Sequence, residues 1–200
     1  MAEAAYAYIE PDNRFEIIEG VKVMAASVVF GHSIVAGKLL FLFNTYFYEH
    51  QNGIAFCDVD VHFPDGNLFR PDLCVVSNPS LIDDRKIVHG VPELCVEILS
   101  PSTMKNDIGK KKRLYAKNGV REYWIVDYPG KNIFVYHLDG EHYELDETYH
   151  RYTDDEIELL TEDERAEIKR EIKVSIVPDL VIEVERIFQF WWQNKQKGAD

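Results

Sequence analysis

The sequence predicts a mixed α/β (α+β) fold in which a central sheet is flanked by helices. Apolar runs with strand-like alternation occupy both halves of the chain, and two stretches with helical periodicity separate them. The 200 residues are 46% hydrophobic and 28% charged, which is ordinary for a globular protein and sufficient for a sizeable core. We therefore expect the order strands, helix, strands, helix, strands.

The first half of the chain contains two predicted strands, a long helix and a further strand. Residues 15–26 read as a strand pair with a tight turn at Glu19-Gly20. Residues 31–53 have an apolar helical face and end at Asn52-Gly53, a common helix stop. Residues 54–66 alternate as a strand does and end in a Pro-Asp-Gly turn.

The second half begins with two apolar strands and continues into a helix. FRPDLCVV, residues 69–76, and ELCVEIL, residues 93–99, are both predicted to be buried strands. Residues 107–118 are predicted to form a helix that ends at Asn118-Gly119. Residues 121–145 predict a β-hairpin through Pro129-Gly130, followed by a further short strand.

No repeat, low-complexity tract or Pro/Gly linker divides the chain, so residues 1–200 are expected to form a single domain. An acidic C-terminal segment, about residues 146–173, is expected to precede a final strand and helix that dock on the core. No signal peptide or membrane span is visible, and the three cysteines have no metal-binding spacing. We expect a cytoplasmic protein with buried thiols and no membrane partner.

Charge is unevenly distributed along the chain. The net charge of −13 argues against a protein that coats nucleic acid electrostatically. Residues 105–121, however, hold seven basic residues and one acid, a local charge of +6, whereas residues 139–171 hold fourteen acids and four bases, a local charge of −10. A polyanion could therefore approach one face of the protein while the rest repels it.

Two carboxylates interrupt the apolar strands. Asp72 lies within FRPDLCVV and Glu97 within ELCVEIL, although strand interiors disfavour acids and buried carboxylates are costly unless they are paired or bind a metal. If the two strands are neighbours, the carboxylates can converge, and such oxygen ligands suit Mg²⁺ or Mn²⁺. The alternative for each acid is a strand-end residue or a salt-bridge partner.

The helix that follows carries a lysine on its apolar face. Asp107, Lys111 and Tyr115 have i, i+4, i+8 spacing and share one side of a regular helix. Ile108 and Leu114, together with Tyr115, centre the apolar face near the direction of Lys111. This spacing predicts that Lys111 points toward the core, where it either meets carboxylates and a ligand or forms a structural ion pair with Asp107.

Together these motifs resemble a known family. The set is Arg70-Pro71-Asp72, PELCVEILSPST at 92–103, the Asp107, Lys111 and Tyr115 triplet and GVREYWIVD at 119–127, with FEIIEG at 15–20, His32 and SIVPDLVIEVERIF at 175–188. It is similar to the Uma-type restriction endonuclease family of the PD-(D/E)XK nuclease superfamily, over nearly the whole chain. One departure is Leu99, which stands where the superfamily has its lysine; Lys111 fits that role from the next helix.

The resemblance implies a restriction-endonuclease-like fold and metal-dependent hydrolysis of phosphodiesters, with DNA as the substrate. It implies that Asp72 and Glu97 bind Mg²⁺ or Mn²⁺, and that Glu16 lies near them, where it holds the metal through water or orients Lys111. Lys111 is then expected to orient or deprotonate the attacking water, or to stabilise charge that develops on the phosphate. Asp107, Tyr115 and His32 are expected to support these groups, although His32 could also be a histidine near a helix cap or a phosphate contact. Cleavage of a duplex by one small site per chain favours a homodimer.

Two other functions stay open from the sequence. A nuclease fold without catalysis could serve as a binding or assembly module, and the charge of −13 and Leu99 favour this alternative. Hydrolysis of another phosphodiester, such as RNA or a nucleotide, is the third.

Overall fold

The strands form two larger sheets and one small pair within the residues that the computed structural model describes, which are 15–24, 30–83, 87–177 and 179–189. The strands are β1 Phe15–Ile18, β2 Val21–Met24, β3 Ile54–Phe56, β4 Val61–His62, β5 Leu68–Phe69, β6 Leu73–Val76, β7 Val88–His89, β8 Leu94–Ile98, β9 Glu122–Asp127, β10 Asn132–Asp139, β11 His142–His150, β12 Glu171–Lys173 and β13 Val181–Glu183. The helices are α1 Phe30–His50, α2 Lys112–Asn118, α3 Asp154–Glu158, α4 Glu162–Ala166 and α5 Val184–Phe188, with a 3-10 turn at Pro79–Leu81 and a π-helical turn at Asn106–Lys111.

The central sheet has six strands in the order β11-β10-β9-β8-β6-β3. Strands β8 and β9 are parallel and every other neighbouring pair is antiparallel. A second sheet has the order β2-β1-β5-β4-β7, and β12 pairs with β13. The prediction of a mixed α/β fold with a central mixed sheet and flanking helices is confirmed.

Side chains of the central sheet alternate between two apolar layers, as strand geometry requires. Leu73, Val75 and Val96 pack on the side of α1 and α5. Cys74 and Cys95 pack on the opposite side, with residues of the second sheet and α2. Glu97 follows Cys95 by two positions, so it shares the face that looks toward α2.

Two predicted strands are divided in the structure. Residues 54–66 form β3 and β4, which belong to different sheets, and residues 69–76 are broken between β5 and β6. The chain crosses from one sheet to the other at both breaks, and alternation in the sequence does not record such a crossing. The predicted first strand pair is present as β1 and β2, while residues 25 and 26 lie outside the described ranges.

The acidic segment forms two short helices, each starting with a capping box, Thr153 with Glu156 and Thr161 with Glu164. After it, the apolar residues of α5 enter the same cluster as α1. That all these parts form one domain stays a prediction. No helix in the described ranges is long and apolar enough to cross a membrane.

Candidate active site

Asp72 stands at the break between β5 and β6 and not inside a strand. The prediction of a mid-strand position was wrong, because the chain changes sheets at Arg70-Pro71 and β6 begins only at Leu73. Strand β6 pairs with β8 so that Leu73 faces Val96, and this register brings Asp72 beside the far end of β8. Its Oδ2 accepts a hydrogen bond from the backbone N–H of Ile98 at 2.7 Å and lies 3.0 Å from His32 Nε2.

Glu97 is buried in β8, as the sequence predicts. Its Oε1 accepts hydrogen bonds from Lys111 Nζ at 3.1 Å and from Tyr115 OH at 2.8 Å. Burial raises the pKa of Glu97 well above its ordinary value, and Lys111 opposes this effect. Asp72 therefore lies directly before β6, next to the strand β8 that carries Glu97, and each carboxylate is oriented by donors from other elements.

The helix after β8 starts with a π-helical turn, Asn106–Lys111, which the sequence did not predict. Asp107, Lys111 and Tyr115 all point inward and are buried. Ile108 is 50% exposed, so its predicted place on the apolar face was wrong. A π-helical turn spaces residues differently from the regular helix that we assumed, and such turns are frequent at functional sites.

Lys111 joins the carboxylates from three different elements. Its Nζ lies 2.9 Å from Glu16 Oε1, 3.1 Å from Glu97 Oε1 and 3.7 Å from Asp107 Oδ1, and its side chain is only 5% exposed. Burial by itself lowers the pKa of Lys111, but the three carboxylates raise it above its ordinary value overall. The lysine is therefore a cation at neutral pH.

Glu16 connects β1 to this cluster through a contact that sequence reasoning missed. Its Oε1 also accepts a hydrogen bond from the backbone N–H of Arg70 at 2.8 Å. The guanidinium of Arg70 donates through Nε at 2.9 Å and Nη2 at 2.6 Å to Asp60 Oδ1. The position of Arg70 directly before Pro71-Asp72 could have marked it as a site residue from the sequence. Only the fold identifies Asp60 as the partner of Arg70.

Asp107 is the least compensated acid of the cluster. Both carboxylate oxygens are buried and, among the described residues, have no hydrogen-bond partner within 3.5 Å. Burial raises the pKa of Asp107 to about 6, against the opposing effect of Lys111. The Thr103 side chain also contributes to lowering the pKa of this acid. The buried cluster of Glu16, Glu97, Asp107 and Lys111, here called the carboxylate cluster, thus contains three acids and one cation.

The donor chemistry of these residues fits a divalent metal ion with oxygen ligands. The hydrogen bonds described above use Oδ2 of Asp72 and Oε1 of Glu97, so neither engages Oδ1 of Asp72 or Oε2 of Glu97. In the described ranges, no three His, Cys, Asp or Glu side chains are arranged to hold a metal. A two-carboxylate site suits Mg²⁺, which keeps several waters and also binds substrate phosphates.

Leu99, which stands where the resemblance described from the sequence would place a lysine, is buried. Its backbone N–H donates to Val126 O at 2.8 Å, which ties it to β9. Position 99 thus supplies no cation, while Lys111 reaches Glu97 from the helix that follows. The seven residues singled out from the sequence as site residues form two contact groups in the structure. One group contains Glu16, Glu97, Asp107, Lys111 and Tyr115. The other contains His32 and Asp72.

Comparisons with known proteins point in one direction. A sequence model of the Uma2 family, described as "Putative restriction endonuclease", matches residues 2–163. The "Uncharacterized protein slr1290" of Synechocystis sp. is 33% identical over 118 residues, which cover 55% of this chain and 58% of that protein. The match thus spans little more than half the length of this curated relative.

A solved structure shares the fold. The crystal structure of a "putative nuclease belonging to DUF820" from Anabaena variabilis superposes with a TM-score of 0.67 at 19% identity, over 90% of this chain and 93% of the other. At that identity the similarity establishes the fold alone.

Proposed function

Because the chain belongs to the Uma2 restriction endonuclease family, we propose that it is a metal-dependent nuclease that hydrolyses phosphodiester bonds of DNA. Asp72 and Glu97 hold Mg²⁺ or Mn²⁺, and Lys111 acts on the reacting phosphate or water. Glu16 orients Lys111 in this proposal. The cytoplasm as its location and a homodimer as its working form belong to the same proposal.

The observation that carries the proposal is the position of Lys111. A lysine that is 5% exposed loses most of its hydration, and such burial is favourable only when carboxylates or a ligand compensate it. Here three buried acids surround one ammonium. This excess of negative charge beside Asp72 favours a cation as a further ligand.

A bound divalent metal would supply Lewis-acid polarisation of the phosphate and a bound water of lowered pKa. Lys111 is a cation, so it donates hydrogen bonds and does not accept the proton of the water. It is suited to orient that water or to stabilise charge that develops on a phosphate oxygen. This assigns Lys111 an orienting or electrostatic role and not the deprotonation of the water that the sequence also left open.

The remaining groups hold these three residues in place. The hydroxyl of Tyr115 fixes Glu97, and His32 together with the Ile98 N–H fixes Asp72. Glu16 is itself held by the Arg70 backbone, so Lys111 has little freedom. Pre-orientation of this kind lowers the cost of reaching the reactive geometry.

The exposed side of the same helix supports a polyanionic substrate. Lys110 and Arg113 are half or more exposed, within one or two residues of Lys111, and both contact Glu19. A phosphate backbone could replace Glu19 as their partner. DNA is the first substrate to test, since the matched family is described as restriction endonucleases.

The test measures cleavage of supercoiled plasmid, single-stranded DNA and RNA with Mg²⁺, with Mn²⁺ and with a chelator. Asp72→Asn and Lys111→Met are expected to reduce metal-dependent cleavage by about 100-fold or more. Lys112→Met is the matched control for the lysine, because its ammonium lies over the Tyr136 ring and outside the carboxylate cluster. Asp139→Asn, at the exposed end of β10, is the control for the acid.

Two results would overturn the proposal. Equal loss of cleavage in Lys111→Met and Lys112→Met would remove the special role of Lys111. A folded wild-type protein that binds these nucleic acids but cuts none of them with either metal would favour the alternative, a nuclease fold used as a binding module. Leu99 is the specific observation behind that alternative.

A further inference from the structure

The outer face of α1 carries no charged side chain over most of its length. Between residues 30 and 48 the ionisable side chains are His32, which is buried against Asp72, and Lys38, whose ammonium donates to Gln189 O. The exposed positions of this stretch are Phe30, Ser33, Gly37, Phe41, Thr45 and Tyr48. We call these six residues the α1 stripe.

The α1 stripe exposes large aromatic side chains. Phe30 is 73% exposed, Phe41 63% and Tyr48 81%. Side chains of this size have on the order of 150–250 Å² of surface each, so together they present roughly 450 Å² to solvent. That is more than half of the ~800 Å² per partner buried in a stable protein–protein contact.

Gly37 lies in the middle of the stripe, and no residue in the described ranges gives it a packing reason. A Cβ added there would meet no atom within 4 Å, although glycine is unfavourable in a helix interior. A glycine between exposed aromatic residues allows a second helix to approach the backbone closely. A partner helix would account for its place in the stripe.

The spacing of the stripe is symmetric about Leu39. Successive positions are separated by 3, 4, 4, 4 and 3 residues. When two copies pack antiparallel across a two-fold axis, Phe30 lies opposite Tyr48 of the second copy, and Ser33 lies opposite Thr45. Gly37 then lies opposite Phe41, so the ring of one helix enters the gap beside the glycine of the other.

We propose that the α1 stripe is the contact between two copies of this chain, joined by a two-fold axis near Leu39. Two chains of net charge −13 repel each other, so a face without charge is where they meet at least cost. A cleft of about 420 Å³ continues the apolar surface beyond Tyr48, lined by Ile54, Val76 and Pro79 among others.

The contact relates two candidate active sites. His32 lies seven residues from Leu39 and contacts Asp72, so the two His32 residues would be about 20 Å apart along the helix axes. The association does not depend on cleavage. A failure of the proposed nuclease activity therefore leaves it untouched, and the readout below is mass alone.

The first experiment measures the mass of the full chain in solution over a wide concentration range. The wild type is expected at twice 23.3 kDa. Phe41→Glu is expected to weaken association by about 100-fold or more, because a carboxylate would be buried without a partner. Leu159→Glu is the matched control, since Leu159 is an 86% exposed leucine outside α1, and it should leave the dimer intact.

The second experiment tests the register by cross-linking. The double variant Ser33→Cys/Thr45→Cys is expected to form a covalent dimer on oxidation, because the two positions face each other across the axis. Ser33→Cys/Glu49→Cys is displaced by about one helical turn and should cross-link much less. Cys74 and Cys95 are buried and Cys57 is half-buried, and the wild type controls for their contribution.

Three results would overturn the proposal. The wild type could be monomeric at every concentration, or its dimer could survive Phe41→Glu. Cross-linking that is equal in the two double variants would refute the register. If the wild type is monomeric and Phe41→Glu unfolds more easily than Leu159→Glu, the stripe contributes to the fold of a single chain instead.

Discussion

Replacing Asp107 by asparagine should change how the stability of the protein depends on pH. Burial raises the pKa of Asp107 to about 6 from an ordinary 3.8. Between these values the folded protein holds a proton that the unfolded chain has released, so wild-type stability falls as pH rises from 3.8 to 6. The stabilisation by this bound proton is fully present below pH 3.8, the pKa of the unfolded chain, and is lost above pH 6, the approximate pKa in the folded protein. Asparagine has no such proton.

The size of the effect follows from the shift. A rise of about 2 pH units corresponds to about 3 kcal/mol at most, since each unit is worth about 1.4 kcal/mol. Over the accessible window from pH 4.5 to pH 8, about 2 kcal/mol of this should appear. As the pH rises from 4.5 to 8, the free energy of unfolding of Asp107→Asn minus that of the wild type should therefore increase by about 2 kcal/mol.

Urea denaturation at several pH values gives this difference directly. A constant offset between the two proteins reflects the packing and hydrogen bonds of the asparagine, so the slope against pH is the informative quantity. Asp139→Asn changes an exposed carboxylate and should give a difference that hardly varies with pH. Parallel curves for Asp107→Asn and the wild type would show that Asp107 is not the uncompensated acid of the cluster.

Three further variants test contacts of the site and of the central sheet. Tyr115→Phe removes the hydroxyl that donates to Glu97 and should lower the free energy of unfolding by about 1–3 kcal/mol. Glu122→Gln should lower it by about 2–4 kcal/mol, because the amide would face one of the donors from Trp124, Ser175 and Ile176. Arg70→Lys should reduce it by about 1 kcal/mol, since lysine cannot reproduce the two contacts to Asp60.

Urea denaturation at pH 7 measures all three, with Tyr48→Phe as the control for loss of an exposed hydroxyl. A Tyr115→Phe variant as stable as the wild type would mean that this hydroxyl contributes no net stabilisation. Unchanged stability of Glu122→Gln would exclude Glu122 as the anchor of residues 175 and 176. An Arg70→Lys variant as stable as the wild type would contradict the role given to the two guanidinium contacts.

Elements with strong local patterns were predictable from the sequence. The long helix now seen as α1 and the hairpin of β9 and β10 have regular periodicity and turn residues at their ends. Short strands were not predictable from the sequence, because two-residue strands such as β4 and β5 are formed only by pairing with neighbours in the second sheet. The crossing between sheets at Arg70-Pro71 therefore moved Asp72 from the interior of a predicted strand to its edge.

The helix that bears Lys111 shows the same limit at the site. Residue types and spacing singled out Asp107 and Lys111, but a regular helix would also have buried Ile108. The π-helical turn buries both ionisable side chains and exposes the isoleucine. Contacts with Glu16 and Glu97 from two other elements stabilise that arrangement, and a local sequence pattern cannot encode distant partners.

The sequence by itself determined which residues could carry the chemistry, since the acids within apolar stretches and a lysine among apolar neighbours are visible without coordinates. It also determined the symmetric, uncharged spacing along α1. Only the tertiary structure decided that Glu16, Glu97 and Asp107 converge on one ammonium. It also decided that the Arg70 backbone holds Glu16 while the Arg70 side chain binds Asp60, and that the α1 stripe faces solvent. The reason is that hydrophobic periodicity is a property of neighbouring residues, whereas compensation of a buried charge depends on groups from distant parts of the chain.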